Sequence, residues 1–439
     1  MTNTSILPLG EKIRHIRSAK GISLDNLAYV IKRNKTFVHR FEHGQVECNS
    51  EILTAIRKFL EVENAPILEH ELQLYISRLW LLHNMLNTHS IEEVKALLDE
   101  LSPILDLPFE HDLCLLFMLM EVRILIRESK LTAAEEKLST IEPLMVNASG
   151  EAFCLFHYCK GFFYAYRAAH KDALRHFLQA MDVESEHIKP NAALLTNIGM
   201  LYMSIGKPYQ AIFSLERAKG EFDGSHSVNP HTSSMLAMAY TIIGEYRQAK
   251  KLYDASIIQA KSINDKIMQG LTFSNLSVLS IRMGNYEEGI KYCNQALDCY
   301  NVKGFQSKIV FIGQKNAAQC IALFNKGRGL LKMKEYAKCQ EVIEYGRSLA
   351  EDDKRFVIGF NILECLITMD NNDSIKYLEE TAVPYYKAGD GLDKLIALDI
   401  CKELETHYNK KRAKTKASAF GCIARDIYEE MFLGEIDIE

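Results

Sequence analysis

Apolar positions in residues 9–60 recur at helical spacing and predict a small bundle of short helices. Leu9, Ile13 and Ile16 fall on one face of the first helix. The segments SLDNLAYVI and KTFVHRFEHG form a second and a third helix around the turn at 32–34, and EILTAIRKFL forms a fourth. Two short helices joined by a three-residue turn are what a helix-turn-helix DNA-binding protein requires.

A different pattern begins near residue 70, where glycine, aromatic and small residues recur at a long period. It is clearest in YMSIGKPYQAIFSLERA, YTIIGEYRQAKKLYDAS and SIRMGNYEEGIKYCNQA. One position marks the second helix of each unit: Val94, Ala134, Ala173, Ala211, Ala249, Gly289, Cys339 and Ile375. Spacings of 36 to 50 residues between these positions predict eight helical hairpins stacked as a solenoid.

The two patterns together predict an all-α protein. We expect a helix-turn-helix domain at 1–65, a repeat domain at 70–390 and a C-terminal helical cap at 391–439. Only 23 Gly and 9 Pro in 439 residues leave few turns, which agrees with helix nearly throughout.

Charge separates the two parts of the chain. Residues 1–60, here called the head, hold ten Lys and Arg against five Asp and Glu, which gives a net charge of +5. Because the whole chain has a net charge of −5, the remaining residues carry −10. The eleven cysteines include no CxxC pair, and no apolar run is long enough to cross a membrane. We therefore expect a protein of the cytosol with reduced thiols and no membrane partner.

The head resembles the phage-repressor-like helix-turn-helix domains of bacterial regulators. The matching positions are Leu9-Gly10, Arg14, Arg17, Gly21, Ser23, Leu27-Ala28, Arg40-Phe41-Glu42-x-Gly44 and Leu53. Leu24 departs from the usual Gln, and Lys32-Arg33 departs from the usual Gly and apolar residue of the turn.

This resemblance implies that the third helix lies in the major groove. Its outward positions, expected to reach bases or phosphates, are Lys35, Thr36, His39 and Arg40. The side chains better placed for phosphate are Arg14, Arg17, Lys32 and Arg33. Two alternatives remain open at this point: the charges serve only to solvate the domain, or Arg14 pairs with Glu42 and both are structural.

The repeats resemble tetratricopeptide repeats, in which the first helix of each hairpin lines a concave groove. Fourteen residues before each marked position the chain has Trp80, Met120, Cys159, Asn197, Met235, Asn275, Asn325 and Asn361. An Asn amide both donates and accepts, which suits it to hold the main chain of an extended peptide. Alternatively, these side chains bond to adjacent repeats or to water.

A second groove position reads Arg127, Tyr166, Ser204, Ile242, Arg282 and Lys332, with Arg328 one turn before the last. Between these cations lies a neutral stretch lined by Met200, Met203, Met235 and Met238. Cations at one or both ends are suited to a peptide carboxylate or acidic side chain, and Met adapts to apolar ones. Two alternatives stay open: these cations are ordinary solvated charges, or Arg282, Arg328 and Lys332 pair with nearby acids.

The order of the two parts resembles the RNPP family of peptide-pheromone-responsive regulators, most closely its PlcR-like and NprR-like members. The resemblance implies a right-handed superhelix of repeats, a short signalling oligopeptide in the groove and a homodimer on double-stranded DNA with an inverted-repeat operator. Peptide binding would alter the DNA-binding state.

No motif of a phosphate-binding, metalloprotease, hydrolase or dinucleotide-binding site is present, so we expect no enzyme, cofactor or metal. An interaction module that modulates a response regulator is the alternative function, and a bifunctional protein also stays open. The head argues against the pure interaction module.

Overall fold

The computed structural model describes residues 8–86, 89–107, 110–182, 192–222, 230–301, 316–389 and 391–434. All regular structure in these ranges is helical, which confirms the all-α prediction. The chain divides into a first compact unit, Met1–Tyr166 with His176–Lys189, and a second, Arg167–Arg175 with Pro190–Glu439. The boundaries expected near 65–70 and 390 stay a prediction. None of the described helices combines the length and apolar character needed to span a bilayer.

The head consists of α1 (Leu9–Ala19), α2 (Leu24–Val30), α3 (Lys35–Glu42) and α4 (Ser50–Phe59). Three of these helices begin at a side chain that accepts a hydrogen bond from the backbone three residues later: Ser23, Asn34 and Asn49. The helices enclose a small apolar core made of Ile13, Ile16, Leu27, Ala28, Ile31, Val38, Phe41, Ile56 and Leu60. The predicted helix-turn-helix order is thus observed.

The turn between α2 and α3 is built without glycine. Lys32 has a φ of +53°, in the left-handed region that glycine adopts most easily. The Lys32 amide donates to the Tyr29 carbonyl at 3.2 Å and the Arg33 amide to the Ala28 carbonyl at 3.0 Å, which ends α2. The side chains of Lys32 and Arg33 are therefore left exposed at the surface of the turn.

Nine helical hairpins follow the head in the described ranges, and we number them one to nine. In the eighth, two short helices take the place of the second helix. In order they are α5 (Glu69–Met85) with α6 (Ile91–Glu100), α7 (His111–Arg127) with α8 (Leu131–Ile141), α9 (Gly150–Tyr166) with α10 (His170–Met181), α11 (Ala192–Ile205) with α12 (Pro208–Phe222), α13 (Pro230–Ile243) with α14 (Tyr246–Ser262), α15 (Lys266–Arg282) with α16 (Tyr286–Tyr300), α17 (Ala317–Lys332) with α18 (Tyr336–Ala350), α19 (Lys354–Ile367) with α20 (Asn372–Tyr377) and α21 (Val383–Lys387), and α22 (Gly391–Lys410) with α23 (Lys414–Phe432). Short 3₁₀ helices follow α6 and α8, and a π-helical turn joins α20 to α21.

The predicted repeat register corresponds to buried positions. All eight marked residues, from Val94 to Ile375, are buried. Small residues there and on the first helices allow close helix packing. A Cβ atom on Gly199 of α11, for example, would lie 2.5 Å from Cγ of Leu215 on α12. The hairpin array predicted from sequence is confirmed, and the expected C-terminal cap is itself a ninth helical pair.

Hairpin nine packs back onto hairpin four inside the second unit. Gly391, at the start of α22, lies against Gly206, whose φ of +88° ends α11. The Lys207 ammonium donates to the Glu430 carbonyl at 2.7 Å and also to the Gly434 carbonyl near the end of α23. These contacts connect two hairpins that are far apart in the sequence.

We predict that Gly391→Ala destabilises the second unit by about 1–3 kcal/mol, because the new Cβ would overlap the backbone of Gly206. Gly421→Ala in α23 is the matched control, since its Cβ would meet only the flexible carboxylate of Glu405. That variant should be neutral or stabilising by up to about 1 kcal/mol. Thermal unfolding of both variants tests the contact, and equal midpoints would contradict it.

Candidate DNA interface and peptide groove

The outward side of α3 carries the four residues predicted to read DNA. The helix is anchored in the head through Val38 and Phe41, which are buried. Because these two positions face inward, the side chains expected to reach bases or phosphates face solvent: Lys35, Thr36, His39 and Arg40 are all exposed.

The exposed side chains of α3 make only weak contacts within the head. The Lys35 ammonium lies 2.9 Å from the Asp25 carboxylate, with both side chains more than half exposed. The imidazoles of His39 and His43 stack with their centroids 4.2 Å apart. An exposed ion pair of this kind contributes about 1 kcal/mol or less, so Lys35 can exchange Asp25 for another anion.

The guanidinium of Arg17 is used within the head, and this corrects its assignment as a phosphate contact. Its guanidinium donates to both carboxylate oxygens of Glu42, at 2.6 and 3.0 Å, and to the Ile22 carbonyl at 2.6 Å. The Glu42 side chain is only 1% exposed. Arg17 therefore connects α1 to the end of α3 and serves to position α3.

The pairing of Arg14 with Glu42, considered from sequence, is wrong because Arg17 occupies that carboxylate. Arg14 instead lies 2.9 Å from Glu11 on its own helix and 3.5 Å from the His43 imidazole. Its side chain is about one third exposed, so it remains available to a phosphate.

We predict that Arg17→Met lowers the free energy of unfolding of the head by about 3–5 kcal/mol, because it leaves the buried Glu42 carboxylate unpaired. Arg14→Met removes the partly exposed pair with Glu11 and should lower the free energy of unfolding by about 1 kcal/mol or less. Hydrogen exchange of the α3 amides measures both. Equal protection in the two variants would show that the buried pair does not hold α3.

In the second unit, the first helices of hairpins four to six share a stripe of half-buried side chains, here called the groove face. Along α11, α13 and α15 the stripe follows spacings of four, three and four residues. Its members are Ala193, Asn197, Met200 and Ser204; His231, Met235, Met238 and Ile242; and Leu271, Asn275, Val278 and Arg282. Only Ala193 is fully exposed. The residues on either side of the stripe are mostly buried between helices.

The four predicted Asn residues occupy different environments. Asn197 is half-buried and Asn325 is buried, and neither side chain has a hydrogen-bond partner among the described residues. The Asn275 amide donates to the Ser234 hydroxyl of the preceding hairpin at 3.3 Å, which is a long bond. The alternative of bonding between repeats is therefore realised in part at Asn275.

Asn361 does not fit the predicted peptide clamp. Its amide oxygen accepts from the Arg347 guanidinium, with Nε at 3.1 Å, and its amide nitrogen donates to the Tyr377 hydroxyl at 3.2 Å. Both hydrogen-bonding functions of the amide are thus used within hairpins seven and eight. Asn361 is a structural residue here.

The cations of α17 are paired with acids of α22, which was the alternative to a role in peptide binding. The Arg328 guanidinium lies 2.5 Å from the Asp399 carboxylate, and the Lys332 ammonium lies 2.5 Å from the Glu403 carboxylate. The two acids are four residues apart, as are the two cations, so the pairs follow one another along the helices. The sequence already contains this signal, because the two cations and the two acids have the same i, i+4 spacing.

The Met-lined stretch also meets α22. Leu392 packs with Met235 and Met238 against one buried cluster that includes Met203 and Leu236. Met200 is half-buried on the same face. Arg282 is half-buried, and its Nε is buried with no partner among the described residues. The start of α22 therefore packs against the same buried cluster as Met235 and Met238.

Tyr166 belongs to the first unit, at the end of α9. It is half-buried, and burial raises the pKa of its hydroxyl while Arg123 and Arg127 oppose the rise. Arg123, which the sequence analysis did not single out, lies one turn before Arg127 on α7. In the described residues, no group of three potential ligands is arranged to hold a metal ion.

Comparison with known proteins supports this description. A family model described as tetratricopeptide repeat matches residues 192–220 and 272–299. Comparison with curated protein sequences gives no significant match. Solved structures do match, at low sequence identity.

The apo form of the quorum sensor NprR from B. thuringiensis is 20% identical, with a TM-score of 0.64, and the match covers 80% of this chain and 98% of that one. NprR in complex with its cognate peptide NprX is 20% identical, with a TM-score of 0.61, and the match covers 80% of this chain and 98% of that one. A Rap protein complexed with Competence and Sporulation Factor is 19% identical, with a TM-score of 0.66, and the match covers 82% of this chain and 98% of that one. This chain has the fold of these proteins. The resemblance to the RNPP family is therefore confirmed in the fold.

Proposed function

We propose that this chain is a cytoplasmic transcriptional regulator that binds double-stranded DNA through its head and a short signalling oligopeptide on its repeats. The observation that carries the proposal is the exposed cationic side of α3 on a head that precedes an array with the fold of the quorum sensor NprR. Peptide binding would change the DNA-binding state of a homodimer.

The DNA contacts follow from which head cations are available. Lys35, Thr36, His39 and Arg40 extend from one side of α3 and suit base edges in the major groove. Lys32 and Arg33 in the turn and Arg14 on α1 suit phosphates. Arg17 is excluded because Glu42 and the Ile22 carbonyl occupy its guanidinium.

A homodimer is proposed on energetic grounds. About four base-reaching side chains are too few for the affinities of ~10⁻⁸ M or tighter that are typical of specific sites. Two heads on an inverted repeat double the contacts and fix the half-site spacing.

We predict that Arg40→Ala weakens binding to a selected operator by about 1–3 kcal/mol and relaxes preference at one base position. Titrations over a salt series give affinity, salt slope and a stoichiometry of two chains per site. The matched control is Lys58→Ala, which removes an exposed charge from α4 of the same head. The proposal fails if Arg40→Ala and Lys35→Ala both leave affinity and preference unchanged.

The peptide contacts are proposed on the neutral part of the groove face. Because Arg328 and Lys332 are paired with α22, they are not assigned to the peptide. Asn197 has an amide with no partner in the described residues, and Asn275 has only a long bond to exchange. These two amides would hold the peptide main chain, and Met200, Met235 and Met238 would contact its apolar side chains.

We predict that Asn197→Ala weakens peptide binding about 5- to 150-fold, because truncation leaves a buried peptide group unpaired at about 1–3 kcal/mol. The peptide is first identified by mass spectrometry of the copurifying ligand and then synthesised for calorimetry. Asn361→Ala is the control, since its amide is used by Arg347 and Tyr377.

Asn361→Ala should lower thermal stability and leave peptide affinity within about threefold of the parent protein. The opposite pattern, with Asn361 needed for affinity and Asn197 neutral, would contradict the assignment. The absence of any copurifying or binding peptide would contradict the peptide-sensing function itself.

Modulation of a response regulator is the second candidate, favoured by the fold shared with the Rap protein. The DNA titration separates the two functions. A chain with no sequence-selective DNA binding that still captures a response regulator would support the second candidate.

A further inference from the structure

The turn between α22 and α23 concentrates positive charge on a part of the chain that is otherwise acidic. Residues 406–425 contain six Lys and Arg and no Asp or Glu, although the residues after position 60 carry a net charge of −10. Five of these six cations fall within residues 410–416, here called the basic tip: Lys410, Lys411, Arg412, Lys414 and Lys416. Neither the head nor the groove face includes this cluster.

The cations of the basic tip are exposed and mostly unpaired. Four of them are exposed and have no ion pair in the part of the chain that the structure describes: Lys410, Lys411, Arg412 and Lys414. The side chain of the fifth, Lys416, is 61% exposed and lies 3.7 Å from the Glu379 carboxylate. That carboxylate also accepts a hydrogen bond from the Tyr408 hydroxyl. The tip therefore retains most of its charge for another anion.

Helix stability does not account for these charges. Cations in the first turn of a helix are unfavourable, because they lie beside the positive end of its dipole. The first turn of α23 contains Lys414 and Lys416 and no acid. Hairpin six has the favourable arrangement, with Glu287 and Glu288 in the first turn of α16. The cations of the tip thus lower the local stability of α23.

The backbone of the tip also places a long side chain where glycine is easier. Arg412 has a φ of +57°, in the left-handed region. The corresponding turns of hairpins four to six have a glycine in that region: Gly206, Gly244 and Gly284. The Ala413 amide donates to the Tyr408 carbonyl at 2.9 Å and closes the turn. Glycine would therefore fit this position better than arginine does.

The acids that face the basic tip are fewer than its cations. The pKa of the neighbouring His407 imidazole is lowered, first by burial and then by Lys411 and Lys410. Asp370 and Glu379 act in the opposite direction. Both acids belong to hairpin eight, and five cations outnumber them.

The chemistry of the tip favours the phosphates of a nucleic acid duplex. Flexible cations bind backbone phosphates without reading sequence, and duplex DNA presents about one negative charge per 1.7 Å of its axis. A single strand is also held by exposed aromatic rings, and a membrane surface by apolar side chains that enter it. The Tyr408 ring beside the tip is only 7% exposed and stacks on Phe420, so it serves neither purpose.

We propose that the basic tip of hairpin nine is a second DNA contact, which binds the phosphates of a duplex without sequence preference. This contact rests on the proposed function, because a DNA duplex is the ligand proposed for the head. The head supplies the preference for one sequence, and the tip supplies affinity for any duplex. Loss of the tip should therefore change the salt dependence of binding and leave selectivity intact.

The test uses a triple variant of the full-length chain, called the tip variant. It combines Lys411→Gln, Arg412→Gly and Lys414→Gln. The change at Arg412 also relieves the positive φ, so the variant should be at least as stable as the parent protein in thermal unfolding. Both a selected operator and a scrambled duplex of the same length are titrated over a salt series.

A second triple variant is the matched control. It removes three exposed cations from the second helices α14 and α16 of the same unit, by Arg247→Gln, Lys251→Gln and Lys291→Gln. Both variants lose three positive charges, so their net charges are equal. Any difference between them therefore reports the position of the charge.

The tip variant should bind both duplexes at least about tenfold more weakly than the parent protein at low salt. Its slope of log affinity against log salt should be smaller by about 2–3, while the control should keep the parent slope within about one. The preference for the operator over the scrambled duplex should stay within about threefold of the parent value in both variants. Equal slopes and affinities in the two variants would overturn the proposal.

The outcomes separate the tip from the proposed function. If the tip variant behaves as the control does and the operator is still preferred, the tip fails and the function stands. If the parent protein binds both duplexes equally and the tip variant loses that binding, the tip stands and sequence-specific regulation fails.

Vesicles of phosphatidylcholine and phosphatidylserine, in a ratio of about three to one, are the last probe. The parent protein and the tip variant should both leave these vesicles unbound, because the tip has no apolar side chain to insert. Vesicle binding that the tip variant loses, with DNA binding unchanged, would overturn the proposal, since the tip would then be a membrane contact.

Discussion

Close packing of the two helices of a hairpin around a buried, mostly small residue is the constraint on which the rest of the repeat structure depends. Where Gly289 stands on α16, for example, a Cβ atom would lie 2.8 Å from Cγ1 of Ile281 on α15. The first helix is then covered by its partner and by the neighbouring hairpins. What remains accessible is a stripe with four-three-four spacing, on which Asn197, Asn275, Met200, Met235 and Met238 lie.

The cations of the head and of the repeats differ in how they are neutralised. Arg17 is neutralised by a buried carboxylate and fixes α3, and Arg328 and Lys332 are neutralised by α22. Lys35 and Arg40 face solvent, where another anion can compete with a weak pair. The Arg123 guanidinium is buried instead against the ring faces of Tyr158 and Phe162.

Much of this could be predicted from the sequence because it depends on local spacing. Helix starts at Ser23, Asn34 and Asn49 follow from capping, which acts over three residues. The exposed side of α3 follows from helical periodicity alone. The partner of Glu42 did not follow, since Arg14 and Arg17 both precede it on α1 and only the packing of α1 on α3 selects Arg17.

The sequence by itself determined the all-helical fold, the order of head and repeats, and the register of the hairpins. Helix formation and hairpin packing depend on residues that are only a few positions apart. The tertiary structure decided which charged and amide groups are occupied. Arg328 and Asp399 are 71 residues apart, and Lys207 bonds a carbonyl 223 residues away. Such pairs form only once hairpin nine lies against its partners, because side-chain contacts act over a few ångströms and a matching i, i+4 spacing does not by itself select the partner helix.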